Sequence, residues 1–377
     1  MAPIATALLA ALFLVRGILH PQLNYDVITY VTLAKEMRGD GGKVEAYREL
    51  ASKVGTSRFQ EYVSGSYRER MYRDDGFFQA NLRRYSIRPF YIALCSVVGS
   101  LVHSDVAATY IISAVSASLA VLLSYVIAGI AGLVGSWRLA IPVIWIAAAG
   151  LNLAGLSTPD ALETLITLIF VLTSAAGPWK GVRAACLLLL AVLMVTTRSD
   201  ALLLVTFLML VEWLLEPRHR LISTLAFVAA LATYLVVQKL SGSYADLESL
   251  SFLVERSRDV VPNLVPDLHG YVLMVIHQIL QTLGESFEYV LMLPAVSLLA
   301  IACCRERRVR AARGADGFNQ RALILSAALA VYILARFVLY PVPEPRYLTN
   351  AYVLAGILFA RAIQPIAPTQ PDSEPNS

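Results

Sequence analysis

Residues 106–133 read VAATYIISAVSASLAVLLSYVIAGIAGL and carry no charged side chain. At about 1.5 Å of rise per residue, a helix of this length exceeds the roughly 30 Å hydrocarbon core of a bilayer. Comparable apolar segments fall at about 4–19, 89–102, 139–154, 160–177, 181–197, 200–215, 220–240, 271–304, 322–340 and 347–363. The 377-residue chain is 57% hydrophobic and only 15% charged, against about 25% charged in soluble domains. A soluble enzyme, a disordered chain and a secreted disulfide scaffold are excluded. The expected fold class is an all-α polytopic membrane protein with about 10–12 transmembrane helices. The net charge of +4 is too small to indicate a nucleic-acid partner. Membrane lipids are the implied surroundings.

The organisation reads as one integral-membrane domain over 1–364 and a Pro-rich, polar, disordered tail over 365–377. Segment 4–19 lacks preceding basic residues and is read as an uncleaved first helix. Two polar loops interrupt the apolar pattern, at 21–88 and 241–269. The first also places apolar side chains at helical spacing, such as Val27, Tyr30, Val31 and Ala34, which predicts short amphipathic helices. Cys95 and Cys186 lie inside apolar segments and are expected to be small buried residues. Cys303 and Cys304 end another segment, and no cysteine has metal-ligand spacing.

Arg305, Arg307, Arg308, Arg310 and Arg313 crowd one short loop, which places that loop in the cytoplasm. Counting back, 151–160, 197–200, 241–269 and 341–346 fall outside, and 21–88 is assigned there as the first external loop. Residues 89–133 must then cross only once, although His103-Ser104-Asp105 divides them into two apolar runs. The 89–102 run is short enough to be a re-entrant or tilted piece.

This topology puts Asp26, Arg88, Asp160, Arg198, Asp200, Glu344 and Arg346 at one membrane surface. Ionisable groups at membrane depth are costly, so they are candidates for function. Asp26 could accept a proton from a hydroxyl, or serve only at a helix start. Arg88, before Pro89, could pair with a phosphate or simply reach the interface. Ser157-Thr158-Pro159-Asp160 reads as a capped helix start, and Arg198 with Asp200 as a local ion pair. Arg346, followed by Tyr347, opens a helix where a cation is unfavourable, which suggests an anionic partner. His277, Gln281, Glu285 and Glu288 form a polar stripe that lines a cavity or faces water. No Walker, Rossmann or zinc-protease motif is present.

The order of these features resembles the GT-C superfamily of integral-membrane glycosyltransferases, near the protein O-mannosyltransferase and aminoarabinose-transferase branch. The shared features are an acidic residue opening the first external loop, a basic-Pro pair at Arg88-Pro89, a Pro-Asp at Pro159-Asp160, Arg198, and a late Arg346-Tyr347. Tyr25-Asp26-Val27 departs from the O-mannosyltransferase Asp-Glu pair, and Phe90 replaces a second Pro. The resemblance implies a sugar moved from a polyprenyl-phosphate donor to a hydroxyl on a lipid, glycan or protein acceptor. Asp26 would then be the catalytic base, and Arg88 and Arg346 would bind the donor phosphate. Asp160, Arg198, Asp200, Glu344, Tyr347 and His277 remain further substrate-site candidates. It implies the bacterial inner membrane, with the site facing the periplasm or exterior. No cofactor is required by any motif; a divalent metal on Asp26 or Asp160 is compatible, and no metal ligands are assigned. The competing classes are a non-enzymatic transporter or lipid flippase and a polysaccharide ligase or polymerase. A transporter would favour internal repeats and midplane charges, and no repeat is evident.

Overall fold

The structure, a computed structural model, describes residues 1–148, 150–175, 180–242 and 345–364, with short helical pieces at 272–273, 276–277, 328–329, 331–333 and 335–336. Among the described residues the regular elements are all helical, and Gln22 and Leu156 form an isolated bridge. Among the described residues, three helical stretches are long and apolar enough to cross a membrane: Ala2–Leu19, Asp105–Ile130 and Pro217–Leu240. The count of 10–12 extends over 271–304 and 322–340, which lie largely outside the described residues, as do 243–269, 305–313 and 365–377.

Helix α1 (Ala2–Leu19) shows how the apolar runs are used. Leu9, Ala10, Phe13 and Gly17 follow helical spacing and are buried, whereas Ile4, Leu8, Leu12, Val15 and Leu19 are exposed. An apolar outer face of this extent suits lipid rather than water. The inner face packs on α8 (Asp105–Ile130), where Ser118 donates to the Ala10 carbonyl at 2.8 Å. Gly17 is required there, because a Cβ would lie 2.4 Å from the Ala154 carbonyl oxygen.

Loop 21–88 folds into the expected helices: α2 (Val27–Arg38), α3 (Lys43–Val54), α4 (Thr56–Val63), α5 (Ser66–Arg73) and α6 (Asp75–Ser86). Their apolar faces meet in a small core of their own, with Val31, Leu50, Met71 and Phe78 fully buried. Gly39 ends α2 with φ of +73°, a left-handed position that a Cβ would strain. Asp74 caps α6, accepting from the Phe77 N–H at 2.9 Å.

Helix α7 (Pro89–Val102) settles how 89–133 crosses once. Pro89 sits in its first turn, and the axis bends by 103° from α6. Its start lies beside α2, with the Tyr30 and Tyr91 rings 4.9 Å apart. Its middle lies beside α2 as well, where Arg38 donates to the Ser96 carbonyl at 2.8 Å; Arg38 also reaches Asp105, which packs on Gly99 in the last turn of α7. Because α7 accompanies the 12-residue α2 in this way, the expected arrangement keeps α7 on one side and leaves the crossing to α8. Cysteines placed at positions 40 and 103 should therefore react with an impermeant maleimide from the same side of the membrane. Labelling from opposite sides would make α7 a crossing helix.

The apolar segment 139–154 is not one helix but α9 (Ala140–Ala147) and α10 (Gly150–Gly155). Neither piece alone reaches across roughly 30 Å. Together they run antiparallel to α8. Arg138 lies near Tyr125, the Trp145 indole donates to Ser124 at 2.8 Å, and Ser113 donates to the Thr158 carbonyl at 3.0 Å. Three further helices follow, α11 (Asp160–Ala175), α12 (Val182–Thr197) and α13 (Ala201–Leu215), and then α14 (Arg220–Leu240). Cys186 is exposed on α12, contrary to expectation, because that face of the helix points outward; Cys95 is buried. The last described helix, α15 (Thr349–Ile363), reaches from Glu163 at one end to the 132–134 turn at the other, where Gln364 accepts from the Val134 N–H at 3.2 Å.

Candidate functional site

Three helix ends converge where the chain leaves α10 and enters α11. Gly155 accepts from the Gln22 N–H at 2.8 Å, which ties the end of α1 to the turn before Asp160. Asp160 opens α11, Arg198 closes α12 and Asp200 precedes α13. Asp160 is 1% exposed and Arg198 5% exposed, so neither group is solvated as an isolated charge could be.

Their burial is matched by pairing. The Arg198 guanidinium grips Asp200 with two parallel bonds, Nε to Oδ1 at 3.0 Å and Nη2 to Oδ2 at 2.8 Å. Its remaining nitrogen pairs with Asp160 Oδ1, so one arginine joins three helix ends. The Thr158 hydroxyl donates to Asp160 Oδ2 at 2.5 Å. Asp200 also receives Arg336 Nη2 at 2.7 Å. Burial raises the Asp200 carboxyl, but Arg198 and Arg336 outweigh it and hold it well below the usual carboxylate range. Asp160 does open its helix and Arg198 does pair locally with Asp200, but the expected hydroxyl cap is not formed: Pro159 precedes the helix, and the Thr158 hydroxyl donates to the Asp160 carboxylate instead of accepting a backbone N–H.

Arg346 lies at the start of α15, with Nε 3.8 Å from Asp160 Oδ2 and Nη2 donating to the Tyr347 hydroxyl at 3.0 Å. The Tyr347 ring faces three guanidiniums, those of Arg198, Arg346 and Arg336, at 4.7, 4.8 and 5.1 Å from its centroid. Cation–π attraction holds these like charges around one ring. Arg88 lies within electrostatic reach of Arg198 and Asp200. It bonds the Tyr30 hydroxyl and packs on the Tyr30 and Tyr85 rings. Among the described residues no carboxylate lies within ion-pairing distance of Arg88, although Asp26 and Asp200 act on it from farther away.

Asp26 stands at the start of α2, half-buried, without capping its own helix. Its two oxygens accept from the Tyr85 hydroxyl at 2.9 Å and the Asn24 amide at 3.1 Å. Tyr85 links it to Arg88, because the same ring carries that guanidinium. Burial pushes the nearby Tyr67 phenol up to about 12.

Asp26, Arg88, Asp160, Arg198, Asp200, Arg346 and Tyr347 thus gather at one end of the helices. Glu344 lies outside the described residues. His277 is at an exposed helical position, and Gln281, Glu285 and Glu288 of its stripe are outside the described residues. Two members were missed by sequence reasoning. Glu163 accepts from the Asn350 amide at 2.9 Å and lies 3.9 Å from Arg198. Arg336 is the other. Each is a lone charge inside an apolar run, which was the available signal. Among the described residues no three His, Cys, Asp or Glu side chains are arranged to hold a metal ion; Asp160, Glu163 and Asp200 surround the Arg198 cation. No protein-family model matches this chain, and neither a curated protein nor a solved structure matches it.

Proposed function

We propose that this chain is an integral-membrane glycosyltransferase of the GT-C type, moving a sugar from a polyprenyl-phosphate donor to a hydroxyl acceptor. The observation that carries the reading is the arginine cluster at one end of the membrane helices with the Asp26 carboxylate beside it. Arg88 is the member whose positive charge is least cancelled by a close carboxylate among the described residues. A phosphodiester headgroup at the membrane surface supplies the missing anion, with its isoprenoid chain remaining in lipid.

The reaction is a single inverting displacement. Asp26 takes the proton from the acceptor hydroxyl, and the acceptor oxygen attacks the anomeric carbon. The bond from that carbon to the phosphate oxygen breaks, and the electron pair leaves with the lipid phosphate. Arg88 and Arg346 stabilise the growing charge on that oxygen. The site faces the periplasm or exterior, where the donor sugar is presented. A transporter would place its charges near the midplane; Asp160, Arg198 and Asp200 stand instead at helix ends.

The test is sugar transfer by the purified protein from polyprenyl-phosphate sugars, with binding of the donor measured separately. Arg88→Ala removes a charged hydrogen-bond donor worth about 1.5–3 kcal/mol. Donor affinity should fall about 10- to 100-fold at 1.4 kcal/mol per decade. Wild-type donor affinity in a folded Arg88→Ala variant would move the phosphate to Arg346. Absence of transfer from every such donor would sink the reading.

A further inference from the structure

A second charged cluster lies at the opposite end of α2, away from Asp26. Asp105 opens α8 with a side chain that is 3% exposed, and its Oδ2 receives Arg38 Nη2 at 2.7 Å and Lys35 Nζ at 2.9 Å. Lys35 also reaches Glu49 at 2.9 Å. Glu49 in turn accepts from the Ser104 hydroxyl at 2.8 Å and the Val106 N–H at 2.9 Å. Ser104 itself caps α8 through the Ala107 N–H at 3.1 Å. Helices α2 and α3 are therefore bolted to the α7–α8 turn by buried charges, where breaking one partner is costly.

The geometry makes this cluster more than an anchor. Helices α2 and α7 run side by side in the same direction. At one end they carry Asp26 and Arg88, joined through Tyr30 and Tyr85. At the other end Arg38 of α2 meets the Ser96 carbonyl of α7 and the Asp105 carboxylate beyond it. Sliding α2 along α7 would break the second set and move Asp26 relative to Arg88. Gly99 of α7 leaves room for this arrangement, since a Cβ there would lie 2.0 Å from Asp105 Oδ1.

We propose that Asp105 is a positioning residue: by holding Lys35 and Arg38 it sets the register of α2 against α7, and so the placement of the Asp26 base against the Arg88 phosphate site. The inference rests on the glycosyl-transfer reading for its catalytic consequence. Asp105 touches neither substrate nor base, and acts along a helix about 18 Å long. Because α7 also packs on α8 and α12, the donor site should hold while the base drifts when Asp105 is altered.

The experiment compares Asp105→Asn and Arg38→Met, which removes the α2 side of the clamp, with wild type in the full-length protein. Lys43→Ala serves as a control that removes an ion pair of the same loop, Lys43 to Asp75, at a mostly exposed carboxylate. A misplacement of about 1 Å costs on the order of 100-fold in rate. Both test variants should lose ten- to a hundredfold in kcat, with the donor Kd within twofold of wild type and the control unchanged. Unchanged kcat in a folded Asp105→Asn overturns the proposal. So does a loss of kcat that only tracks a loss of donor-binding protein. Hydrogen exchange separates this failure from failure of the glycosyl-transfer reading. Amides of residues 29–38 should exchange at least tenfold faster in Asp105→Asn, with those of 112–124 unchanged, whether or not transfer is found. Unaltered exchange across 29–38 overturns the clamp itself.

Discussion

Replacing Arg198 with Met should destabilise the folded protein by about 3–5 kcal/mol, the usual cost of stripping one partner from a buried ion pair. The loss should concentrate at Asp160. Among the described residues Asp200 keeps Arg336 at 2.7 Å, whereas Asp160 keeps only the Thr158 hydroxyl at 2.5 Å and the distant Arg346 at 3.8 Å. Adding Asp160→Asn to Arg198→Met removes the stranded charge, so the double variant should recover about 0.5–3 kcal/mol relative to the sum of the single losses. Thermal unfolding of the four proteins in one detergent measures the cycle. Strictly additive losses would mean that Asp160 does not depend on Arg198, and the three-helix junction would have to be held by packing alone.

The membership of this junction was legible in the sequence because charge is sparse in an apolar chain. Asp160, Arg198, Asp200 and Arg346 each stand at the end of an apolar run, and a count of crossings places those ends together. The pairing itself was not legible. That Arg198 prefers Asp200 in two bonds and still reaches Asp160 depends on how α11, α12 and α13 pack. Glu163 and Arg336 escaped notice because they lie within runs whose composition reads as membrane span. Only the packed neighbours Asn350 and Asp200 explain why such costly groups are tolerated there.

The Asp105 cluster escaped for a different reason. Lys35, Arg38 and Glu49 fall on short amphipathic helices, where charges ordinarily mark the wet face. Asp105 fell in the break between two apolar runs. Nothing in the spacing says that the break folds back onto those helices. The short length of 89–102 did signal that it need not cross, and the contacts of Arg38 with Ser96 and Asp105 supply the physical reason. The division of 139–154 into two helices was likewise invisible to composition, since Ala147 through Gly150 continue the apolar run.

Asp26→Asn should leave a folded, donor-binding protein whose turnover is lower by about 10²–10⁴-fold, the usual contribution of a positioned base. An acceptor hydroxyl ionises far above neutral pH, so the proton needs somewhere to go as the new bond forms. Asp26 is placed to take it: its carboxylate is half-buried and held on two sides by the Tyr85 hydroxyl and the Asn24 amide. The arginines are engaged elsewhere: Arg198 with Asp160 and Asp200, Arg336 with Asp200, Arg88 with the Tyr30 hydroxyl. Asparagine keeps the acceptor for Tyr85, and since Asp26 makes no capping bond to its own helix, the stability cost should stay near one ordinary hydrogen bond, about 0.5–1.5 kcal/mol. Comparing kcat, donor Kd and thermal stability of Asp26→Asn with wild type separates chemistry from structure. Full turnover in the variant would remove Asp26 from the mechanism. Glu163 would then be the next carboxylate to test, because its nearest partner among the described residues is the Asn350 amide at 2.9 Å, with Arg198 farther off at 3.9 Å.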